Sequence, residues 1–573
     1  MNAKSNKKVL SADQKKEQRK AHARLRSFNN AHRKIFERAG FDRIVPVDGV
    51  HFTYEGLKSE LDDIFVFENV IILAEYTLSN ASNLGTHAKG KAGIHNKISE
   101  NPSKFLREFA TLSGGVQGWQ KSNLYTDKQL IIKTIYGSLD ALEDHHKALF
   151  DKTRFMSDSE RTYFNSLTRS IKRSSRFEIF EYLGIDPTKV GVAGVVAASV
   201  PFDRYEALAL PEEQSHFPSG FRVISFYVDP DALLRRSYVL RRNGWRDGLG
   251  LYQRLIIPGK IASIRAHLKE KKRVFANNVV LTLPSNSKAL AKDGSAISFS
   301  DISRPTHIDL EIQRKSNSIG IIDGQHRIFS YYEDLLPEPE IDKFRLQQNL
   351  LATGIIYPAG MGVEDREKFE ASLFLEINST QAGASSDIIQ AIWVLLDPFR
   401  PVSVARVIAN KLAQTLPLKG RLARTSLDAG RIKTASIVAY GLQPLIKRSG
   451  EDSTFHIWPD ASAKDRFKAG KATSSDLQAY VDFSTHTISR FLDECRKAVG
   501  DDRWKIVSKG GDGILSVTTI NGLIILLRRL IEANKIKDDG LFPNLTAIKP
   551  VNFSNYKSSQ YADLAAHMLK LIP

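Results

Sequence analysis

The chain has 573 residues, 42% hydrophobic and 25% charged, with a formal charge of +18 and a pI near 9.6. That length allows two to four domains with sizeable cores, and the positive excess suits a polyanionic partner, nucleic acid being the commonest. The single cysteine, Cys495, excludes an intramolecular disulfide and a cysteine-built zinc site and fits a reducing cytoplasm; no apolar run has the length of a membrane span, so no membrane partner is expected.

The first stretch, "MNAKSNKKVLSADQKKEQRKAHARLR", lacks the apolar core of a signal peptide. It reads as a basic arm over residues 1–30, helical or solvated. "HRKIFERAGF" (32–41) is helical. "DDIFVFENVIILAEYTL" (62–78) is rich in β-branched and aromatic residues and predicts two adjacent strands with "ENV" as the turn. "QLIIKTIYG" (129–137) predicts another strand, and 138–185 predict helices that stop at "LGIDP". Strands are expected at 190–200, 221–230, 277–284, 316–323, 350–357 and, in "ASLFLEIN", at 371–378. "PGKIASIRAHLKEKKRVF" and "RIFSYYEDLL" are helical, and from about residue 384 the pattern is mostly helical. Alternating strands and helices followed by a helical tail give an α/β (α+β) fold class. The expected domains are 31–200, 216–400 and a helical C-terminal region, 401–573.

"IGIIDGQHRIFSYYE" (319–333) carries the densest chemistry. A strand that ends in a glycine turn and runs into a helix points backbone N–H groups at one spot, a geometry that binds phosphate. Gly324 lets the backbone approach closely, and Arg327 can grip phosphate oxygens with two parallel bonds. His326 can donate one more. Gln325 can reach sugar or phosphate. Asp323 can orient its neighbours or help hold a metal. An ordinary capped helix with a surface arginine explains the same residues.

Here the chain resembles the DGQHR-domain family, which includes the DndB-type regulators of DNA phosphorothioation. It is more distantly similar to the ParB/sulfiredoxin superfamily of nucleotide-binding folds. "IIDGQHR" carries the likeness, together with "YQRLIIPGKIASIRAHLKEKKRVFANNVVL" upstream and "FLEINSTQ" downstream. The resemblance implies nucleotide-binding positions at Gln253 and Arg254, at Asp323, Gly324, Gln325, His326 and Arg327, and at Glu376, Asn378, Thr380 and Gln381. It further implies ATP or another NTP, bound with Mg²⁺ and slowly hydrolysed, with Glu376 or Asp323 as the acid that meets metal or water. No GxxxxGK[ST] pattern is present, which excludes an ordinary P-loop ATPase.

"ELDDIFVFENVIILAEYT" places acids at the ends of neighbouring strands, where they can converge on a divalent metal. The pattern resembles the PD-(D/E)XK nuclease fold, with Asp62 or Asp63 followed by Glu75. By that resemblance Asp63 and Glu75 are the metal ligands, Mg²⁺ or Mn²⁺ the ion, and Glu55 or Glu60 the upstream acid. The motif's lysine position is Thr77. Lys89 or Lys91 in "THAKGKAGIHNK", which also holds His87 and His95, can reach in from an adjacent helix. The same segment also reads as a basic loop for phosphate contacts. Arginine-rich stretches at 235–246 and 421–433 extend the expected basic surface.

Together these motifs predict a restriction-endonuclease-like N-terminal domain coupled to a central ParB/DndB-like NTP-binding domain. The expected function is that of a DNA-binding, nucleotide-dependent protein of a DNA-modification or phage-defence system. The alternative is a non-enzymatic DNA-binding regulator or assembly factor of such a cluster. The expected partners are DNA, nucleotide, other proteins of the cluster and a second copy of the chain.

Overall fold

From residue 12 on, the basic arm runs with most of the segment at 32–41 as one helix, α1 (Ala12–Arg38); residues 1–11 lie outside the described residues. Phe28, His32, Ile35 and Phe36 recur at helical spacing and are buried, so one stripe of α1 packs while the rest meets solvent. The strand β1 (Asp42–Ile44) and the hairpin β2 (His51–Tyr54) with β3 (Leu57–Glu60) follow. The run at 62–78 folds into two antiparallel strands, β4 (Asp63–Phe67) and β5 (Val70–Thr77). Its turn holds the buried Asn69, whose amide donates to the carbonyls of Gln129 (2.7 Å) and Lys189 (2.9 Å) and accepts from Gly191 N–H (2.9 Å). One amide thus ties the hairpin to two later connections.

Helices α2 (Ala81–Glu100), α3 (Pro102–Ala110) and α4 (Gly114–Ser122) lead to β6 (Ile131–Ser138), which runs parallel to β5. The short α5 (Asp144–Lys147) leads to β7 (Arg154–Met156), and α6 (Asp158–Ile171) and α7 (Arg176–Tyr182) follow. The strand order is β1-β4-β5-β6-β7. Strand alternation divides the side chains. Ile64, Val66, Ile71 and Leu73 pack with Ile94, Ile98, Phe105 and Phe109 of α2 and α3. Phe65 and Tyr76 face α1, with the Phe36 ring 4.7 Å from Phe65 and His32 stacked on Tyr76 at 4.3 Å. Each such side chain, fully buried, contributes about 1.5–3 kcal/mol.

A second sheet follows, built from β8 (Phe202–Leu210), β9 (Arg222–Val228), β10 (Ser237–Tyr238), β11 (Val279–Leu283), β12 (Lys288–Leu290), β13 (Ala296–Ile297), β14 (Thr306–Gln313), β15 (Ile319–Asp323) and β16 (Leu350–Ile356). Between them lie α8 (Glu212–Ser215), α9 (Pro230–Arg236), α10 (Pro258–Lys271), α11 (Gln325–Phe329) and α12 (Pro339–Gln347). The order is β10-β15-β11-β16-β9-β8-β14-β12-β13.

The computed structural model describes residues 12–79, 81–191, 202–241, 245–246, 253, 256–379, 386–423, 430–508, 511–536 and 542–573. Of the strand expected at 190–200, residues 192–200 lie outside this set. The fold is mixed α/β with several sheets. By internal contacts it divides into residues 1–239 with 255–361, and residues 240–254 with 362–573. The first unit holds the five-stranded and nine-stranded sheets and the β2–β3 hairpin, so the segments expected as separate domains at 31–200 and 216–400 fall largely together. The division comes after residue 361 instead of near 400.

The second unit is helical, with long helices at Ser474–Val499 and Val517–Glu532 around a core that includes Trp504, Tyr480 and the buried Cys495. The strand expected at 371–378 is instead part of the helix Val363–Ser379. Glu370, Ala371, Leu373 and Phe374 are buried at i, i+3 and i+4 spacing, and acids fill the first turn. That longer periodicity outweighs the local apolar run. Among the described residues no single helix is long and apolar enough to cross a membrane.

Strand β15 passes into α11 through Gly324 at φ +96°, and a Cβ there would lie 2.6 Å from Val279 Cγ1. Both the backbone and the space require glycine. Gly324→Ala is therefore expected to destabilise the first unit by about 2 kcal/mol or more. Thermal melts monitored by fluorescence read this as a lower midpoint; a variant that melts with the parent would contradict it.

Candidate functional site

Glu75 sits on β5 with its side chain 5% exposed. A buried carboxylate needs partners, and α2 supplies two of them. Lys91 Nζ lies 2.6 Å from Glu75 Oε1, and His95 Nε2 lies 3.2 Å from Oε2. His95 Nδ1 is 3.1 Å from Thr153 Oγ1, which is 3.0 Å from Thr134 Oγ1 on β6. Two turns back from His95 on α2, His87 Nδ1 lies 2.5 Å from the hydroxyl of Tyr136, the register partner of Glu75 on β6. Burial alone would push Glu75 up; hydrogen bonding and charge from His95, with Lys91, overcome this and hold the carboxyl below its usual range. Lys91 also donates to Ser59 Oγ at 3.1 Å, at the edge of a cavity of about 880 Å³ lined by Tyr54, Lys58, Phe105 and Lys91 itself.

Four-residue steps place His87, Lys91 and His95 on one face of α2. The segment at 86–97 is helical, not the basic loop expected for phosphate contacts. Gly85 has a packing reason, since a Cβ there would lie 2.3 Å from the His146 ring. Lys89 points elsewhere and is exposed. Of the two candidate lysines, the structure brings Lys91 to Glu75.

The two aspartates separate. Asp63 pairs in register with Ala74, so its side chain lies on the α1 face of the sheet, opposite Glu75. There it is fully buried, with Arg33 Nε at 2.8 Å and Arg43 Nε at 2.5 Å. The expected metal pair Asp63 and Glu75 is therefore not assembled. Asp62, just before β4, accepts from the Tyr76 N–H (2.7 Å) and from Asn29 Nδ2 (3.2 Å). Burial pushes its pKa up to about 7; the Tyr76 N–H pulls down, and the charge of Glu75 pushes up again. Of the two aspartates, Asp62 is the one that the charge of Glu75 reaches. Glu55 is exposed and pairs with Lys104, and Glu60 is exposed beside His51, so neither joins them.

At the second motif, Arg327 Nη2 pairs with Asp323 Oδ2 at 2.7 Å. The Ile257 N–H donates to His326 Nε2 at 3.3 Å, and Gln325 is buried. The buried Arg265 of α10 donates to the carbonyls of Ser330 and Tyr332 (2.9 Å each) and lies over the Tyr332 ring, so it staples the chain leaving α11. The helix expected over "RIFSYYEDLL" ends at Phe329. The other boxes fall in the second unit. Gln253 is buried there and its N–H donates to Leu240 O, Glu376 is exposed, and the Asn378 amide donates to Phe374 O of its own helix. Arg254, Thr380 and Gln381 lie outside the described residues.

Elsewhere, Glu143, His145 and His146 bring three ligand atoms within 4.8 Å of one another at the surface. That nitrogen-rich set suits zinc or nickel more than magnesium. Arg235 and Arg236, expected as open basic surface, pair with Asp231 and Asp203, and Arg421 donates to Trp504 O. Parts of both arginine-rich stretches, 242–244 and 424–429, lie outside the described residues. The partners that sequence reasoning missed are Asn29, Arg33 and Arg43, which sit beyond the quoted motif and reach it only through folding.

No protein-family model matches the chain, and neither does any curated protein or solved structure.

The raised pKa of Asp62 has a measurable consequence. The folded state holds this proton up to about pH 7, the unfolded chain only to about 3.8. Folding stability therefore falls as pH rises through that window and is level above it. Asp62→Asn should remove this part of the slope and melt higher than the parent, with the larger gain at pH 8 than at pH 5. Equal gains at both pH values would refute the shift.

Proposed function

We propose that the protein is a metal-dependent DNA endonuclease of a restriction, phage-defence or DNA-modification system, with a nucleotide-binding DGQHR segment in the same chain. In this reading the first sheet is a restriction-endonuclease-like fold of the PD-(D/E)XK kind, and the second is ParB/DndB-like. The observation that carries the nuclease half is the buried Glu75 with Lys91 at 2.6 Å, delivered by the helix after β5 in place of the lysine that Thr77 replaces. Asp62 and Glu75 offer carboxylate oxygens only, a hard donor set suited to Mg²⁺ or Mn²⁺. Such an ion would supply charge stabilisation at a scissile phosphate. Lys91 would set its ammonium against a non-bridging phosphate oxygen, and His95 would hold Glu75 in orientation through its bond to Thr153.

Plasmid incubated with Mg²⁺ or Mn²⁺ tests this. Glu75→Gln and Lys91→Ala are each expected to slow cleavage by about 10²–10³-fold, the usual effect of losing one preorganised electrostatic group. Intact plasmid under every metal and nucleotide condition would end the nuclease reading. The second reading, a DNA-binding regulator, is favoured by one observation: two arginines occupy Asp63 and take it out of any metal site. Retardation of its own promoter fragment without cutting would select it.

For the nucleotide, Gly324 shapes the turn and Arg327 stands at its mouth, ion-paired with Asp323. Arg327→Ala is expected to weaken ATP or GTP binding at least tenfold by calorimetry. Unchanged binding would move the nucleotide site away from residues 323–327.

A further inference from the structure

Helix α1 turns a second face toward α6. Arg26, Asn30, Lys34 and Arg38 follow one another at four-residue steps, and with Asn165 and Arg169 of α6 they line an open groove of about 440 Å³. No acidic side chain lines this groove. Among the described residues, none of its four cations has a carboxylate within ion-pair distance; Arg38 donates to Asn165 Oδ1 at 2.7 Å. The contrast lies on the same helix, where Arg33 is bound by Asp48 and Asp63. Burial and the neighbouring Arg169 both lower the pKa of Arg38, so the fold sustains like-charge repulsion here.

We propose that the groove between α1 and α6 is a phosphate track for the backbone of duplex DNA. Arg26 to Arg38 spans about 18 Å of helix axis, roughly five base-pair steps at 3.4 Å each. A rigid row of cations among small and polar neighbours matches a repeating anion. An acidic peptide would want an apolar anchor, and the groove provides none. The neighbouring face of α1 holds Asp62 through Asn29 and Asp63 through Arg33, so the track and Asp62 share one helix, while Glu75 faces α2. The inference rests on the DNA reading above for the identity of the polyanion, but not on cleavage.

The test is binding of the full chain to a fluorescently labelled DNA duplex in EDTA, read by anisotropy across a salt series. The exposed pair Arg26→Gln/Lys34→Gln should bind at least tenfold more weakly, and its log K against log salt should be shallower by roughly 2. The control Lys121→Gln/Lys128→Gln, also exposed, should bind like the parent, and circular dichroism should show all three chains equally folded. An unchanged affinity and slope in the groove variant would overturn the proposal. So would displacement of the duplex by polyglutamate as readily as by unlabelled DNA of equal charge. Because EDTA blocks cutting, loss of the nuclease reading in the plasmid assay leaves this result standing, and the reverse also holds.

Discussion

Three carboxylates, those of Asp62, Asp63 and Glu75, are withdrawn from water at one end of the β4–β5 hairpin, and the N-terminal half is arranged around satisfying them. An ionised carboxylate cannot be buried without compensation. Each is answered differently. Asp63 receives two guanidiniums, Glu75 an ammonium and an imidazole, and Asp62 a backbone N–H and an amide. The cations come from α1, β1 and α2, so these elements are tied to the hairpin by charge as well as by apolar packing. Asp62 receives no cation, and burial pushes its pKa up to about 7; burial raises Asp63 as well, against the pull of Arg33 and Arg43.

The period-two alternation of the hairpin decides which of these groups can act together. Asp62 and Asp63 are adjacent in sequence, yet the pleat sends Asp63 to the α1 side while Glu75 faces α2. A sequence reader sees two interchangeable aspartates. Only strand register shows that one belongs to the scaffold.

The hairpin, β6, the strands around the DGQHR motif and the helices after 384 were legible because apolar and β-branched runs there match one period cleanly. The strands β8 and β14 were not expected. "FDRYEALAL" does not keep the period-two pattern, with Asp203 beside Arg204 and a run of alanine and leucine at its end, and "FDRYEALAL" and "THIDLEIQ" each carry two acids, so local composition hides a half-exposed antiparallel pair. Lys91 was legible as one of two candidate lysines; the choice between them needed the helical phase of α2. The arginines that seal Asp63 were invisible, since Arg33 and Arg43 lie 30 and 20 residues away in sequence. Long-range ion pairs leave no local pattern.

Just past α11, Glu333 meets the α6–α7 junction. Its carbonyl accepts from Arg173 N–H at 3.1 Å, its own N–H donates to Ser174 Oγ at 2.9 Å, and its carboxylate lies 3.3 Å from Arg173 and 3.6 Å from Arg176. Arg176 is itself buried, with its guanidinium 3.7 Å from the centre of the Phe67 ring. The exit of the DGQHR turn is thereby riveted to the back of the first sheet at a single residue. A change at Glu333 would therefore be felt on both sheets at once, at the turn it follows and at the aromatic ring on β4.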